Sequence, residues 1–127
     1  MKDKEIEELE KRLEQGPLFL DKKESVKKIV YSSYLRSGNT FMRAKLEAIT
    51  GITTGSTVPN AWSVNFQLLA SGLRGEGHIG DDVWFVKTHF PLVSPAVGCV
   101  SAHKALIGVR NPIDVLVSYF EFKMTFT

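Results

Sequence analysis

One stretch decides the fold: residues 28–49, which read KIVYSSYLRSGNTFMRAKLEAI. Residues 28–34 form a short β-branched and aromatic run, which predicts a strand. Residues 40–49 carry apolar side chains at helical spacing, and a polar turn at residues 35–39 separates the two elements. A buried strand that turns sharply into a helix leaves free backbone N–H groups and the positive end of the helix dipole at the turn. The sequence therefore predicts an anion site there, of a kind typical for phosphate or sulfate.

The rest of the chain repeats the alternation of strand and helix. Strands are predicted over residues 83–88 and 104–109, and helices over 61–73 and from Asn111-Pro112 to about Met124, while residues 50–60 and 72–82 are predicted loops. The predicted strands lack polar alternation, which is expected when helices cover both faces of a parallel sheet. The fold class is therefore α/β, with a parallel β-sheet flanked by helices, and Trp62, Trp84 and the phenylalanines are expected in the core.

Length and charge set the organisation of the chain. Its 127 residues favour one domain, and 43% hydrophobic with 24% charged residues is an ordinary globular composition. Residues 1–24 are predicted to be a charged N-terminal helix and linker, with a net charge of −2, and residues 25–127 the domain, with a net charge of +4. That charge suits a small anionic ligand and is too weak and too unclustered for nucleic acid.

The cysteine count and the hydropathy limit the disulfides, metal sites and membrane spans that the sequence can form. Cys99 is the single cysteine, so no intrachain disulfide is possible, and the three histidines lack the spacing of a helical zinc site. No apolar run approaches the ~20 residues of a membrane span. We expect a soluble protein of the cytoplasm or an organelle interior, or of the Golgi lumen if the chain is a fragment of a membrane-anchored protein.

The turn at Arg36-Ser37-Gly38-Asn39-Thr40 carries suitable chemistry for an anion. Glycine lets the backbone approach a ligand, the two hydroxyls donate hydrogen bonds, and the guanidinium is a forked cation. A Walker A loop is excluded because its lysine after the glycine is absent, which disfavours a P-loop kinase. By itself this pattern is equally typical of a plain helix-capping turn.

Two further polar clusters lie at the ends of predicted strands: residues 86–91 (VKTHFP) and residues 109–120 (VRNPIDVLVSYF). In parallel α/β sheets ligands bind at the carboxyl ends of strands, so one pocket is expected to collect all three clusters. Together the segments resemble the sulfotransferases that use 3′-phosphoadenosine 5′-phosphosulfate (PAPS). Residues 35–41 resemble the 5′-phosphosulfate loop of that family, residues 110–119 its 3′-phosphate motif, and residues 87–89 the stretch with its catalytic histidine. The Ser-Gly-Asn-Thr form, followed by TGITTGS, is similar to the branch found beside WSC domains. Leu35 departs from the proline usual in the family, and Arg36 from the lysine of many members.

The resemblance implies a P-loop NTPase-like three-layer fold and transfer of a sulfuryl group from PAPS to a hydroxyl or amine of a small molecule or glycan, with no metal. His89 would be the general base, Lys87 would stabilise the transferring group, and Arg36 the leaving phosphate. Arg110 and Ser118 would hold the 3′-phosphate. The remaining cofactor-binding residues that it implies are Ser37, Gly38, Asn39, Thr40 and Phe41.

Each role has a structural alternative. His89 is also typical of a strand-end histidine bonded to backbone, and Lys87 of a solvated lysine. Ser118 is equally typical of a helix-surface hydroxyl, and Arg110 of a partner for Asp114 across one helical turn.

The resemblance spans residues ~27 to ~124 but only the first, cofactor-binding half of the family's domain. The apolar side chains of Phe120, Phe122, Met124 and Phe126 are expected to need cover from another chain or from a C-terminal segment. Two hypotheses stay open: a sulfotransferase, or a degenerate module that serves as a non-catalytic subunit of a larger assembly.

Overall fold

A four-stranded parallel sheet organises the computed structural model, which describes residues 4, 6–7, 11, 14–21, 26–58, 63–91 and 100–125. The elements run, in chain order, β1 (Ile29–Ser33), α1 (Asn39–Thr50), β2 (Gly55–Ser56), α2 (Ser63–Ala70), β3 (Phe85–His89), β4 (Lys104–Gly108) and α3 (Pro112–Thr125). The strand order in the sheet is β2-β3-β1-β4, and every pairing is parallel. The predicted α/β class with a parallel sheet is confirmed.

The register brings the ends of three strands together. Ser33, the last residue of β1, lies opposite His89 of β3 and Gly108 of β4. Polar residues that follow these strands therefore meet at one edge of the sheet, as the sequence predicts for an open parallel sheet.

One difference concerns residues 50–60, which the sequence predicts to be loop throughout. Gly55 and Ser56 pair with Val86 and Lys87 as the short edge strand β2. A side chain at position 55 would collide with the carbonyl of His78, so this strand requires glycine for its close approach to the neighbouring loop. A two-residue strand has no periodicity of its own, and only its partner reveals it.

The core combines a small apolar set with a buried polar layer. Tyr31 stacks on Phe85 with ring centroids 5.7 Å apart, and Val83 and Val86 are fully buried. Helix α1 turns a polar stripe inward, Asn39, Arg43 and Glu47, at the i, i+4, i+8 spacing of one helix face. The prediction that the phenylalanines lie in the core is wrong in part, since Phe85 is buried but Phe41 is 66% and Phe90 69% exposed, and Trp62 lies outside the described residues.

The N-terminal region is described in part. Residues 4, 6, 7, 11, 14 and 15 are helical, and the other residues of the predicted N-terminal helix and the end of the predicted linker lie outside the described residues. Leu18 forms an isolated parallel bridge with Ile52, with its N–H 3.0 Å from the carbonyl of Gly51. This bridge fastens residues 16–21 to the turn after α1.

Candidate functional site

A cavity of about 460 Å³ opens at the carboxyl ends of β1 and β3. Its lining includes nearly every residue that the sequence singles out: Arg36, Gly38, Asn39, Thr40, Phe41, Lys87, His89, Arg110 and Ser118. Leu35, Gln67, Leu68 and Phe122 complete it. Ser37 is the exception, because it lines a neighbouring cavity of about 690 Å³ between β4 and α3. The three sequence clusters thus come together in one place.

The turn before α1 has a backbone shaped for anion binding. Arg36 and Gly38 have φ angles of 66° and 88°, in the left-handed region that a non-glycine residue enters at a cost of about 1–3 kcal/mol. The Gly38 carbonyl accepts the N–H of Met42, and no side chain of the described residues caps the helix start. The first N–H groups of α1 therefore have no partner within the helix and form the positive end of its dipole.

Arg36 and α3 hold each other at the cavity rim. The Arg36 Nε donates to Ser118 Oγ at 3.0 Å, and its guanidinium lies 5.2 Å from the ring centre of Phe122. Arg110 Nη1 donates to the carbonyl of Arg36 at 2.8 Å. Two guanidinium groups and a hydroxyl therefore stand together where the loop meets α3, which is a suitable donor set for a phosphate.

His89 ends β3 and faces the start of α1. Asn39 Nδ2 lies 2.6 Å from Ser33 Oγ and 3.1 Å from His89 Nδ1, and the Ser33 carbonyl lies 3.4 Å from the same ring nitrogen. Burial lowers the pKa of His89 to about 4, with the Lys87 charge acting in the same direction, while the Ser33 carbonyl and Glu76 oppose both. The imidazole is thus neutral near pH 7, the state that a general base requires. Its contact with the Ser33 carbonyl also agrees with the strand-end alternative.

Lys87 is buried, so the alternative of a solvated lysine is wrong. Only 4% of its surface is exposed, and its Nζ lies 4.0 Å from Glu76 Oε1. Burial lowers its pKa to about 8, the Glu76 carboxylate opposes this, and the Arg43 charge adds to it. The ammonium is largely protonated at pH 7 and stands at the floor of the cavity.

A buried ionic network supports Lys87 from beneath. Arg43 pairs with Glu76, both side chains being fully buried, and donates at 2.8 Å each to the hydroxyl and the carbonyl of Thr54. Glu47 Oε1 accepts from the N–H and the hydroxyl of Thr54, at 2.8 and 2.6 Å. Sequence reasoning missed these residues. The available signal was the four-residue spacing of Asn39, Arg43 and Glu47 on one helix.

Apolar side chains are exposed on the edge strand β4 and on α3. Leu106, Ile107 and Val109 in and after β4 are exposed, as are Ile113, Leu116 and Val117 of α3. Phe120 and Met124 are also exposed, Phe122 packs beneath Arg36, and Phe126 lies outside the described residues. An apolar surface of this extent is typical of a contact surface.

Comparisons with known proteins give no relative from which the function of the site could be inferred. The chain matches no protein-family model, no curated protein and no solved structure. Within the described ranges no helix is long and apolar enough to cross a membrane. The same residues contain no group of three histidine, cysteine, aspartate or glutamate side chains able to hold a metal ion.

Proposed function

We propose that this chain is the cofactor-binding half of a PAPS-dependent sulfotransferase with a P-loop NTPase-like three-layer fold. The observation that carries the proposal is the single cavity in which Arg36, Lys87, His89, Arg110 and Ser118 meet. The segments that resemble the family's motifs occur in the expected order, two of them after strands β1 and β4 and one at the end of β3. Local sequence patterns alone do not require such convergence.

The donor set fits the two anionic groups of PAPS. The free N–H groups at the start of α1 and the buried Lys87 ammonium suit the 5′-phosphosulfate end. Arg110 and Ser118, with Arg36 between them, suit the 3′-phosphate. PAPS would supply the sulfuryl group, with the bond from sulfur to the bridging oxygen breaking as the acceptor oxygen bonds to sulfur.

The chain's own residues then have separate tasks. His89, neutral near pH 7, would take the acceptor's proton. Lys87 would neutralise charge on the transferring group, and its ammonium is held in place by the fixed carboxylate of Glu76. Arg36 would leave Ser118 to meet the leaving phosphate, or would stay and strengthen the 3′ subsite; cofactor titration of Arg36→Lys and Ser118→Ala distinguishes these.

A second candidate, a non-catalytic subunit of a larger assembly, is favoured by the exposed apolar side chains of β4 and α3. We propose that another chain or a C-terminal segment covers this surface in either case. The two candidates differ in whether an assembly that binds PAPS also transfers labelled sulfate to an acceptor hydroxyl.

The decisive experiment is a titration of the 15N-labelled chain with adenosine 3′,5′-bisphosphate, followed by NMR and calorimetry. We expect chemical-shift changes at residues 36–41 and 110–118 and weak binding of the bisphosphate. Adenosine 5′-monophosphate, which lacks the 3′-phosphate, should bind more weakly still. Arg110→Ala should remove the preference, and Lys123→Ala, on α3 but away from the cavity, should retain it. Equal binding of both nucleotides, or no shifts at the cavity, would refute the proposal. Micromolar or tighter binding would contradict the expectation that half of the pocket is supplied from elsewhere.

A further inference from the structure

Asn39 occupies a position that helix capping does not explain. Its side chain is 95% buried, since only 5% of its surface is exposed, and it lies between Ser33 of β1 and His89 of β3. Its Oδ1 is buried and has no hydrogen-bond partner among the described residues. An unpaired buried amide oxygen destabilises the folded state. A second orientation of the Asn39 amide, in which Oδ1 and Nδ2 exchange places, gives this oxygen partners.

The two possible orientations of the Asn39 amide require the proton of the neutral His89 ring on different nitrogens. In neutral imidazole one ring nitrogen donates and the other accepts. If Asn39 Nδ2 donates to His89 Nδ1, the ring proton must sit on Nε2, and Nε2 is then unable to take a proton. If Nδ1 carries the proton, it can donate to the Ser33 carbonyl 3.4 Å away, and Nε2 keeps its lone pair.

A half-turn of the Asn39 amide gives hydrogen-bond partners to its Oδ1, to the Ser33 hydroxyl and to His89 Nδ1, and it places Nδ2 where Oδ1 now lies. It brings Oδ1 to the position 2.6 Å from Ser33 Oγ and 3.1 Å from His89 Nδ1. A separation of 2.6 Å is typical of an O–H···O bond and short for an N–H···O bond. The Ser33 hydroxyl, which now lies 3.1 Å from the Tyr34 carbonyl, can redirect its hydrogen to Oδ1.

We infer that Asn39 is the positioning residue of His89: its Oδ1 accepts a hydrogen bond from Nδ1–H and so leaves the Nε2 lone pair free to receive the acceptor's proton. This inference rests on the proposed function only for the use made of Nε2. The hydrogen bond itself, and the tautomer that it selects, are properties of the chain without cofactor. After proton uptake the imidazolium would still donate from Nδ1 to Oδ1, so the ring keeps its orientation through the transfer.

The charges around His89 come from several elements. Lys87 precedes it on β3, Glu76 lies in the loop before β3, and Arg43 lies on α1 behind Glu76. Arg36 and Arg110 line the same cavity. Because these groups are unchanged by a substitution at position 39, the variant reports on the amide alone.

The test is an NMR measurement of the His89 ring nitrogens in the 15N-labelled chain, from pH 3 to 8. In the wild type we expect the tautomer with hydrogen on Nδ1. In Asn39→Ala the preference should be lost. In Asn39→Asp a carboxylate, which only accepts, would stand beside Nδ1, and the pKa of His89 should rise by about one to three pH units. Asn111→Asp is the matched control, since it introduces the same charge at an exposed asparagine of the α3 start, and should leave the tautomer unchanged.

A wild-type histidine with hydrogen on Nε2 overturns the inference, and this measurement requires no variant to fold. So does an unchanged His89 tautomer in folded Asn39→Ala, or an equal rise of the pKa in both aspartate variants. The nucleotide titration is independent of these results. A failed titration with the expected tautomer refutes the sulfotransferase proposal alone, and the reverse outcome refutes the role of Asn39 alone.

Discussion

Replacement of Glu76 by glutamine tests the buried network most directly. Glu76 is fully buried, pairs with the equally buried Arg43, and lies 4.0 Å from the Lys87 ammonium. Glutamine keeps the size and removes the charge, so two cations lose their common carboxylate. Removal of one partner of a buried ion pair costs about 3–5 kcal/mol because the other charge stays buried and uncompensated.

That cost is large relative to the whole stability of a small domain, roughly 5–15 kcal/mol. For a chain of this size we expect the melting temperature of Glu76→Gln to fall by roughly 10–20 °C. The pKa of Lys87 should also fall further below about 8, because the Glu76 charge is what now opposes the effect of burial. Lys87 would then lose part of its proton near neutral pH.

The assay is urea and thermal unfolding at pH 7, followed by circular dichroism, with NMR titration of the labelled Lys87 side chain. Glu121→Gln is the matched control, since that glutamate is exposed on α3 and its loss should change stability by no more than about 0.5 kcal/mol. A double variant, Arg43→Met with Glu76→Leu, removes both charges of the pair and should regain part of the lost stability, while Lys87 still lacks its carboxylate. If Glu76→Gln unfolds within about 1 kcal/mol of the wild type, or if the double variant is as unstable as the single one, the account of an uncompensated buried charge is wrong.

Three further outcomes are expected. The pKa of His89 is about 4 in the fold against 6.5 for the free side chain, so the unfolded chain binds that proton first as pH falls. His89 should therefore remove about 3 kcal/mol of stability between pH 6.5 and 4, a loss absent from His89→Gln in unfolding measured across that range; parallel pH profiles would contradict this. Gly75→Ala should destabilise the chain by roughly 2 kcal/mol or more, because the new Cβ would collide with the Thr54 carbonyl that Arg43 holds. Gly80→Ala, where the Cβ would meet only the carboxylate end of Asp82 at 3.1 Å, should cost clearly less, and equal losses in the two variants would refute this steric argument. Ser118→Ala should free the Arg36 guanidinium, which now bonds to that hydroxyl at 3.0 Å, and NMR of the arginine Nε–H should show faster solvent exchange; an unchanged rate would mean that the bond contributes nothing in solution.

The strand-turn-helix unit at residues 28–49 was predictable because its signals are local. A β-branched run, a glycine turn and a helical repeat each depend on neighbours in sequence, and the structure has β1, the turn and α1 in those places. Convergence of the three polar clusters followed from one topological rule about the ends of parallel strands. The parts that depend on distant partners did not follow, and β2 is the example, since its two residues are a strand only beside β3.

The buried face of α1 shows why the site was harder to predict than the fold. Arg43 and Glu47 on a helix are typical of an exposed face, and Phe41 and Ile49 of a buried one. In α1 these two charged residues are buried and these two apolar ones are exposed. The reason is that α1 lies over Thr54, Glu76 and Lys87, whose charges and hydrogen bonds need polar partners. A helix that supports a charged site must carry the complementary charges inward, and its apolar residues then move toward the cavity rim and the surface.

The exposed apolar surface and the cavity are joined through α3. Arg110 lines both the 460 Å³ cavity and the neighbouring 690 Å³ cavity beneath the first turns of α3, where Pro112, Val115 and Leu116 lie. A partner segment that fills the second cavity would fix α3 against β4, and with it Arg110 and Ser118 in the first. If the proposed nucleotide binds in the first cavity, a segment that covers β4 and α3 and tightens this binding is itself bound more tightly, by the same factor, when the nucleotide is present, because binding free energies are reciprocal. Under the proposed function, the weak binding expected of this chain alone and the exposed apolar side chains of β4 and α3 would share one physical cause, an α3 that lacks its cover.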